Sequence, residues 1–168
     1  MAIPEYVLRL RGFIGHDVLW LPSVSAVVVN EVGELLLGQR SDTGRWSVLS
    51  GVTDPGEQPA QAIVREVLEE TGVEVYPERI SSVLAHPLTY PNGDRCEFMN
   101  ITFRCRPVRG TARVNDEESL AVGWFRPDAL PDLDEHGRTV IKYALSSSAE
   151  AWFQDPTFQD PTPPTTPR

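Results

Sequence analysis

Residues 51–73 decide the fold class, and they read GVTDPGEQPAQAIVREVLEETGV. Glycine and proline in the first half break regular structure and predict a loop over residues 50–57. Residues 58–71 have the composition of a helix, and Gly72 stands where helices commonly end. The stretch therefore predicts a loop followed by a helix.

Three glutamates cluster on one side of this predicted helix. At about 100° per residue, Glu66, Glu69 and Glu70 fall within an arc of roughly 100°. We expect the other side to pack on the core, because it carries an apolar stripe of Ala60, Ile63, Val64 and Val67.

The positions of these glutamates destabilise the predicted helix. Like charges at positions 66 and 70 destabilise a helix by roughly 0.2–0.5 kcal/mol, and Glu69 and Glu70 lie at the helix end that favours cations. A solvated acidic face is the simplest alternative explanation for such a run. A bound divalent cation would remove both penalties, and carboxylates without His or Cys suit Mg²⁺ or Mn²⁺.

The same residues resemble the signature of the Nudix (MutT-like) hydrolase family. That pattern is Gly, five residues, Glu, seven residues, Arg-Glu, an aliphatic, any residue, Glu-Glu, any residue, Gly, an aliphatic. It is matched in full by Gly51, Glu57, Arg65, Glu66, Val67, Glu69, Glu70, Gly72 and Val73. The resemblance implies an α/β Nudix fold, an α/β/α sandwich with a mixed β-sheet and a loop-helix-loop catalytic box.

The resemblance also implies roles for the box residues. Glu66, Glu69 and Glu70 are expected to be catalytic and to bind the metal, with a backbone carbonyl near Gly51 as a further ligand. Glu57 and Arg65 are expected to form a structural ion pair that braces the loop against the helix. The family often has two glycines at the start of the box, whereas the residue before Gly51 is serine.

A general base is expected outside the box, on a later loop. The segment NDEES, residues 115–119, lies between two predicted strands. Glu118 is the first choice for the base and Glu117 the second; an ordinary acidic turn explains the segment equally well.

Three residues are candidates for substrate binding. Arg40 ends a predicted strand and could face the substrate phosphates, although a solvated arginine is as good an explanation. Trp46 could stack on a base or line the core. Tyr90 precedes the hairpin signal Asn92-Gly93 and could rim a pocket or lie on an exposed loop.

The remaining pattern divides the chain into an N-terminal extension (1–21), a hydrolase domain (22–152) and a proline-rich tail (153–168). Helices are predicted at 4–13, 58–71 and 136–152. Alternation and β-branched runs predict strands at 24–29, 35–37, 46–49, 80–85, 95–106 and 120–125.

The composition limits the kinds of partner that we expect this protein to bind. The formal net charge of -9 argues against a broad basic surface for a nucleic-acid polymer. We find neither an apolar run that could span a bilayer nor the features of a signal peptide, and therefore expect a cytoplasmic enzyme without a membrane partner. Residues 1–21 offer a surface for a second copy, so a homodimer is one expected assembly.

The function expected from the resemblance is metal-dependent hydrolysis of the diphosphate in a nucleoside diphosphate linked to another moiety. ADP-ribose, a nucleotide sugar and a dinucleotide are examples of such a nucleotide-like substrate. Two alternatives stay open, a nucleoside triphosphate pyrophosphohydrolase that sanitises oxidised dGTP, and a non-catalytic Nudix-fold ligand sensor.

The variant Glu70→Gln tests the metal assignment, because it keeps the size of the side chain and removes the charge that a hard cation needs. We expect turnover to fall by at least about a hundredfold. Folding should survive, since the variant relieves repulsion with Glu66. Turnover measured with Mg²⁺ and Mn²⁺ checks this, and near-normal activity would contradict it.

Overall fold

The computed structural model describes residues 4–155, so residues 156–168 of the predicted tail lie outside the described residues. Within that range three helices and seven strands form. The helices are α1 (Glu5–Ile14), α2 (Pro59–Thr71) and α3 (Glu135–Leu145). The strands are β1 (Leu19–Val29), β2 (Leu35–Arg40), β3 (Trp46–Ser47), β4 (Leu49–Val52), β5 (Val73–Thr89), β6 (Arg95–Gly110) and β7 (Ser119–Phe125).

The strands of residues 4–155 form one mixed seven-stranded sheet. Its order is β3-β2-β1-β6-β5, with β4 also paired to β1 and β7 to β2. β1 runs parallel to β6, from Leu19 opposite Cys96 to Val28 opposite Cys105. It runs antiparallel to β2 and β4. The expectation of an α/β fold with a mixed sheet is confirmed.

Helices cover both faces of the sheet, because β1 is apolar on both. Val24, Ala26 and Val28 face one way and pack in a core cluster with α2. Side chains at the intervening positions face the other way. There, Leu21 packs with α1 and Val27 packs with α3. Two helices therefore share one face, and the middle of that face lies between them.

Local chemistry fixes both ends of α2. Gln58 and Gln61 form a reciprocal capping box, and Pro59 occupies the first turn, where a missing N–H costs nothing. Gly72 ends the helix with φ of 69°, a left-handed conformation that favours glycine, and its N–H bonds back to the carbonyl of Leu68. β5 begins at the next residue, so the sheet holds the C-terminal end of α2.

The structure corrects several predicted strand boundaries. β1 and β5 extend well beyond the predicted strands 24–29 and 80–85. The predicted strand 46–49 is split into β3 and β4, and the predicted loop 50–57 begins inside β4. Pairing sets these lengths, since β1 has β6 beside it along most of its length. β1 also begins within the predicted N-terminal extension; the division into 1–21, 22–152 and 153–168 stays a prediction.

The predicted helix 136–152 is wrong at its C-terminal end, because α3 stops at Leu145. Arg79 and Arg104 both donate to the carbonyl of Ala144, each at 3.0 Å, and so satisfy the last turn. The chain then returns to the sheet, where Trp152 forms a parallel bridge with Ser82.

No helix among the described residues is long and apolar enough to cross a membrane.

Trp152 should anchor the segment after α3, because its ring stacks on Tyr143 at a centroid distance of 4.3 Å. We expect Trp152→Ala to lower the free energy of unfolding by about 1–2 kcal/mol in denaturant titrations. Phe153→Ala is the matched control; its side chain is 66% exposed, and we expect a change within about 0.5 kcal/mol. Equal effects of the two variants would contradict the anchoring role.

Candidate active site

Glu66 is the most deeply buried of the three box glutamates. It is 3% exposed and lies on the packed side of α2 with Ala62, Ile63 and Val67. The predicted separation of an apolar face from a carboxylate face is therefore wrong for Glu66, and Ala60 is exposed. Gly51 in β4 allows this packing, because a Cβ there would overlap the Glu66 carboxylate.

Arg65 connects the loop to the helix. Its Nε and Nη2 donate to the two carboxylate oxygens of Glu57, each at 2.9 Å. Its Nη1 donates to Glu66 Oε1 at 2.9 Å and to Glu69 Oε2 at 3.2 Å. These hydrogen bonds raise the pKa of Arg65 and lower the pKa of Glu57. One guanidinium thus bonds to three carboxylates and offsets only part of their charge.

Glu70 has no such cation on its own helix. Burial, together with the charges of Glu66 and Asp116, raises the pKa of Glu70 to about 8, although Arg40 pulls the other way. Burial also raises the pKa of Glu66. The two carboxylates therefore hold more negative charge than their protein neighbours offset.

The loop before β7 docks on the C-terminal end of α2. The Asn115 side chain donates to the carbonyls of Leu68 and Glu69, both at 3.1 Å, and its backbone N–H donates to Glu70 at 3.2 Å. The carbonyl of Leu68 also accepts from the N–H of Gly72, whereas the carbonyls of Glu69 and Glu70 lie in the last turn and take a partner from outside the helix. Asn115 therefore does the capping that an Arg or Lys in the last turn often does.

Docking brings the NDEES segment to the box. Asp116 and Glu118 line the same cavity as Glu70, whereas Glu117 is exposed and is not among the lining residues. Asp116 Oδ1 accepts from the backbone N–H of Glu118 at 3.2 Å and of Ser119 at 2.9 Å, which fixes the turn. Asp116 was not predicted from the sequence to be a site residue. Only its position in the acidic segment, next to Asn115, could have indicated it.

The cavity at this point is about 720 Å³ and reaches from the box to α1. A smaller cavity of about 210 Å³ lies towards α3, and its lining includes Asn100, His86 and His136. Arg40, Ser50 and Tyr90 line both. We refer to the two cavities together as the cleft, and to its parts as the α1 lobe and the α3 lobe.

The predicted substrate-binding residues fall in different places. Arg40 lies where the lobes meet, and its guanidinium holds Asp42 through two hydrogen bonds of 2.9 and 2.5 Å. Tyr90 also borders both lobes, and burial raises its pKa. Trp46 borders the α3 lobe but packs edge-on against Phe125, with ring centroids 4.8 Å apart. The structure thus brings Arg40 and Tyr90 together and sets Trp46 partly into the core.

Nothing in the sequence indicated that the two histidines of the α3 lobe are neighbours. His86 and His136 stack with ring centroids 3.9 Å apart. Burial, and then the neighbouring His86, lowers the pKa of His136 to about 4, and burial lowers that of His86. They are fifty positions apart in sequence, and only the fold makes them neighbours.

The carboxylate groups of the box are of the chemical type that binds a hard divalent cation. Clustered carboxylate oxygens suit Mg²⁺ or Mn²⁺. Burial, and then the charge of Glu66, raises the pKa of Glu70, and a cation would offset that charge. Among residues 4–155 no three acidic, His or Cys side chains converge into a ready ligand set. The geometry gives the reason, since Glu66 and Glu69 both turn towards Arg65.

A mixed sheet between helices, with a loop-helix-loop that presents clustered glutamates, defines a diphosphate-hydrolase type of fold and site. The family model described as the NUDIX domain matches residues 19–144. The chain belongs to the Nudix hydrolase family.

Relatives of this chain differ in the substrates that their names give. A MutT-like protein of Streptomyces ambofaciens is 38% identical over 66% of this chain and 66% of its own length. The 8-oxo-dGDP phosphatase NUDT18 of Mus musculus is 32% identical over 76% of this chain but 37% of its own. The NAD-capped RNA hydrolase NudC of Erwinia tasmaniensis is 30% identical over 73% and 44%. The chain thus spans less than two thirds of each.

Solved structures agree on the fold. A MutT Nudix hydrolase from Burkholderia pseudomallei has a TM-score of 0.64 and 25% identity, over 74% of this chain and 98% of its own. An ADP-ribose pyrophosphatase from Streptococcus suis has a TM-score of 0.60 and 26% identity, over 78% and 96%. The expected Nudix fold is confirmed.

The raised pKa of Glu70 predicts how stability depends on pH without metal. Between about pH 4.5 and 8 the folded protein keeps a proton that the unfolded chain has lost, so the free energy of unfolding falls as pH rises. Melting in EDTA across pH 5 to 9 should show this fall, and Glu70→Gln should reduce it. The control Glu117→Gln, at an exposed position, should keep the wild-type slope. Parallel slopes for wild type and Glu70→Gln would refute the assignment.

Proposed function

We propose that this protein is a metal-dependent hydrolase of a nucleoside diphosphate linked to another moiety, such as ADP-ribose, a nucleotide sugar or a dinucleotide. The observation that carries this proposal is the two-lobed cleft. Arg40 and Ser50 border both lobes. A substrate with a group on each side of its diphosphate would use both lobes, with the phosphates near Arg40 and the box.

The named activities of relatives leave a second candidate. NUDT18 is named for 8-oxo-dGDP, which favours an enzyme of oxidised guanine nucleotides. The pyrophosphatase from Streptococcus suis is named for ADP-ribose, and NudC for NAD-capped RNA. Products separate the candidates. A linked diphosphate yields two monophosphates, whereas an oxidised guanine nucleotide yields one monophosphate with inorganic phosphate from the diphosphate or pyrophosphate from the triphosphate. A non-catalytic sensor is disfavoured because every carboxylate of the box is present.

We assign metal binding to Glu66, Glu69 and Glu70, with a backbone ligand at Gly51. Gly51 lies against the Glu66 carboxylate, which supports its place beside the same ion. When bound, a divalent cation would neutralise the diphosphate and lower the pKa of a water molecule. Glu66 and Glu69 share Nη1 of Arg65 and would turn from it to reach the ion. Arg65 keeps its two hydrogen bonds to Glu57, so the brace persists.

We assign the general base to Glu118, with Glu117 as second choice. In this mechanism a water oxygen bonds to phosphorus, the bond from phosphorus to the bridging oxygen breaks, and Glu118 takes the water proton. Glu118 lines the α1 lobe with Glu70, and the Asp116 turn holds its backbone. The exposure of Glu117 argues against it. No Cys or His lies in the box to act as a covalent nucleophile.

The wider expectations remain part of this proposal. They are Mg²⁺ or Mn²⁺ as the metal, a cytoplasmic location, no nucleic-acid polymer as substrate, and a homodimer as one assembly. The net charge of -9 supports a small substrate. The name of NudC includes a capped RNA, so activity on capped RNA is the outcome that would reverse the third expectation.

A substrate screen with paired variants tests the mechanism. Glu118→Gln should lower kcat by about a hundredfold or more with little change in KM, because a base acts in the transition state. The matched control Glu117→Gln should keep kcat within about twofold. Hydrolysis in ¹⁸O-labelled water should place the label on a phosphate product. Label on a sugar oxygen would mean that a C–O bond breaks, and the mechanism would be abandoned.

A further inference from the structure

The wall of the α1 lobe opposite the sheet comes from outside the family domain. The family model matches residues 19–144, whereas α1 spans Glu5–Ile14. Val7, Leu8 and Arg11 of this helix line the lobe. Leu21 and Phe98 of the sheet also line it, and they pack against Val7. The helix therefore makes a pocket out of what would otherwise be an open sheet surface.

Several contacts hold α1 in place. Val7 is 6% exposed and packs with Leu21 and Phe98. The Tyr6 hydroxyl donates to the carbonyl of Thr53 at 3.2 Å, which ties the helix to the loop of the catalytic box. Arg11 Nη2 donates to the carbonyl of Arg95 at 2.7 Å, which ties the other end of the helix to β6. The wall is thus pre-organised.

The lining of the lobe combines charged and apolar side chains. Glu70, Asp116, Glu118 and Arg40 are among the charged residues, and Leu8 and Val52 are among the apolar ones. Leu8 lines the lobe yet stays 55% exposed, so the protein itself does not cover it. Its apolar surface is available to a ligand that enters the lobe, and covering it would be favourable.

We propose that α1 is a specificity element and that Leu8 forms the surface against which the purine base of the substrate packs. This inference rests on the proposed function, because it takes the phosphates to lie towards Arg40 and the box. A purine has flat apolar faces and a polar edge. The apolar surface of Leu8 matches its faces, and Asn92, whose exposed side chain lines the lobe and is held by Asp94, matches its edge.

Size and chemistry favour a base over other groups. A volume of about 720 Å³ lies within the roughly 300–1,000 Å³ that is typical of small-molecule sites. A bare sugar would leave the exposed side of Leu8 uncovered. A purine covers it with a flat apolar face, and its polar edge can bond to the exposed side chain of Asn92.

Binding of a product-like ligand tests the proposal without hydrolysis. Calorimetry with Mg²⁺ should show that the wild-type protein binds AMP or GMP at least tenfold more tightly than ribose 5-phosphate, which has no base. Leu8→Gln should weaken the binding of that purine nucleotide at least fivefold and leave ribose 5-phosphate unchanged. The conservative Leu8→Met should stay within twofold of wild type. Phe13→Gln is the matched control on the same helix, because Phe13 is 84% exposed and is not among the lining residues.

The outcomes separate this inference from the proposed function. Equal affinity for ribose 5-phosphate and both purine nucleotides would overturn the base site, as would Leu8→Gln and Phe13→Gln behaving alike. Discrimination of the base by wild type, lost in Leu8→Gln, would support the site even if no diphosphate were hydrolysed. Hydrolysis with unchanged KM in Leu8→Gln would support the proposed function and overturn the role of α1.

Discussion

The site depends on a carboxylate held inside the protein beside one guanidinium. Glu66 is 3% exposed, and a buried charge of that kind is tolerated only with a partner. Arg65 supplies the partner and at the same time grips both oxygens of Glu57. The same guanidinium therefore ties the loop to the helix. Gly51 completes the arrangement, since a Cβ at that position would displace the Glu66 side chain.

The C-terminal end of α2 shows how a poor location for carboxylates becomes a useful one. The helix dipole disfavours Glu69 and Glu70 there. Asn115 satisfies the exposed carbonyls and in doing so draws Asp116 and Glu118 next to Glu70. Negative charge is thereby concentrated, and burial with that charge lifts the pKa of Glu70 to about 8. The concentrated negative charge lowers the stability of this end of α2 and favours a bound cation.

The arrangement of the helices on the sheet gives the cleft its two lobes. α2 covers one face, and α1 and α3 cover the two ends of the other, so the cleft between them has two lobes. Residues of the family domain supply the chemistry, and α1, which precedes that domain, supplies a wall. In the roles we propose, the reaction and the choice of substrate reside in different parts of the chain, which suits a family whose relatives bear different substrate names.

The sequence by itself determined the catalytic box, because spacing along one helix and one loop is a local property: Gly51, Glu57, Arg65 and the three glutamates follow from 23 consecutive letters. Periodicity determined only that helices and strands are both present, and the α/β class followed from the resemblance of the box to its family. Only the tertiary structure decided that Glu66 is buried, that Asp116 joins Glu70, that Glu117 faces solvent and that His86 stacks on His136. Each of these depends on which distant segments pack together. The length of β5 and the early end of α3 were decided in the same way, since pairing with β6 and capping by Arg79 outweigh the local preferences of those residues.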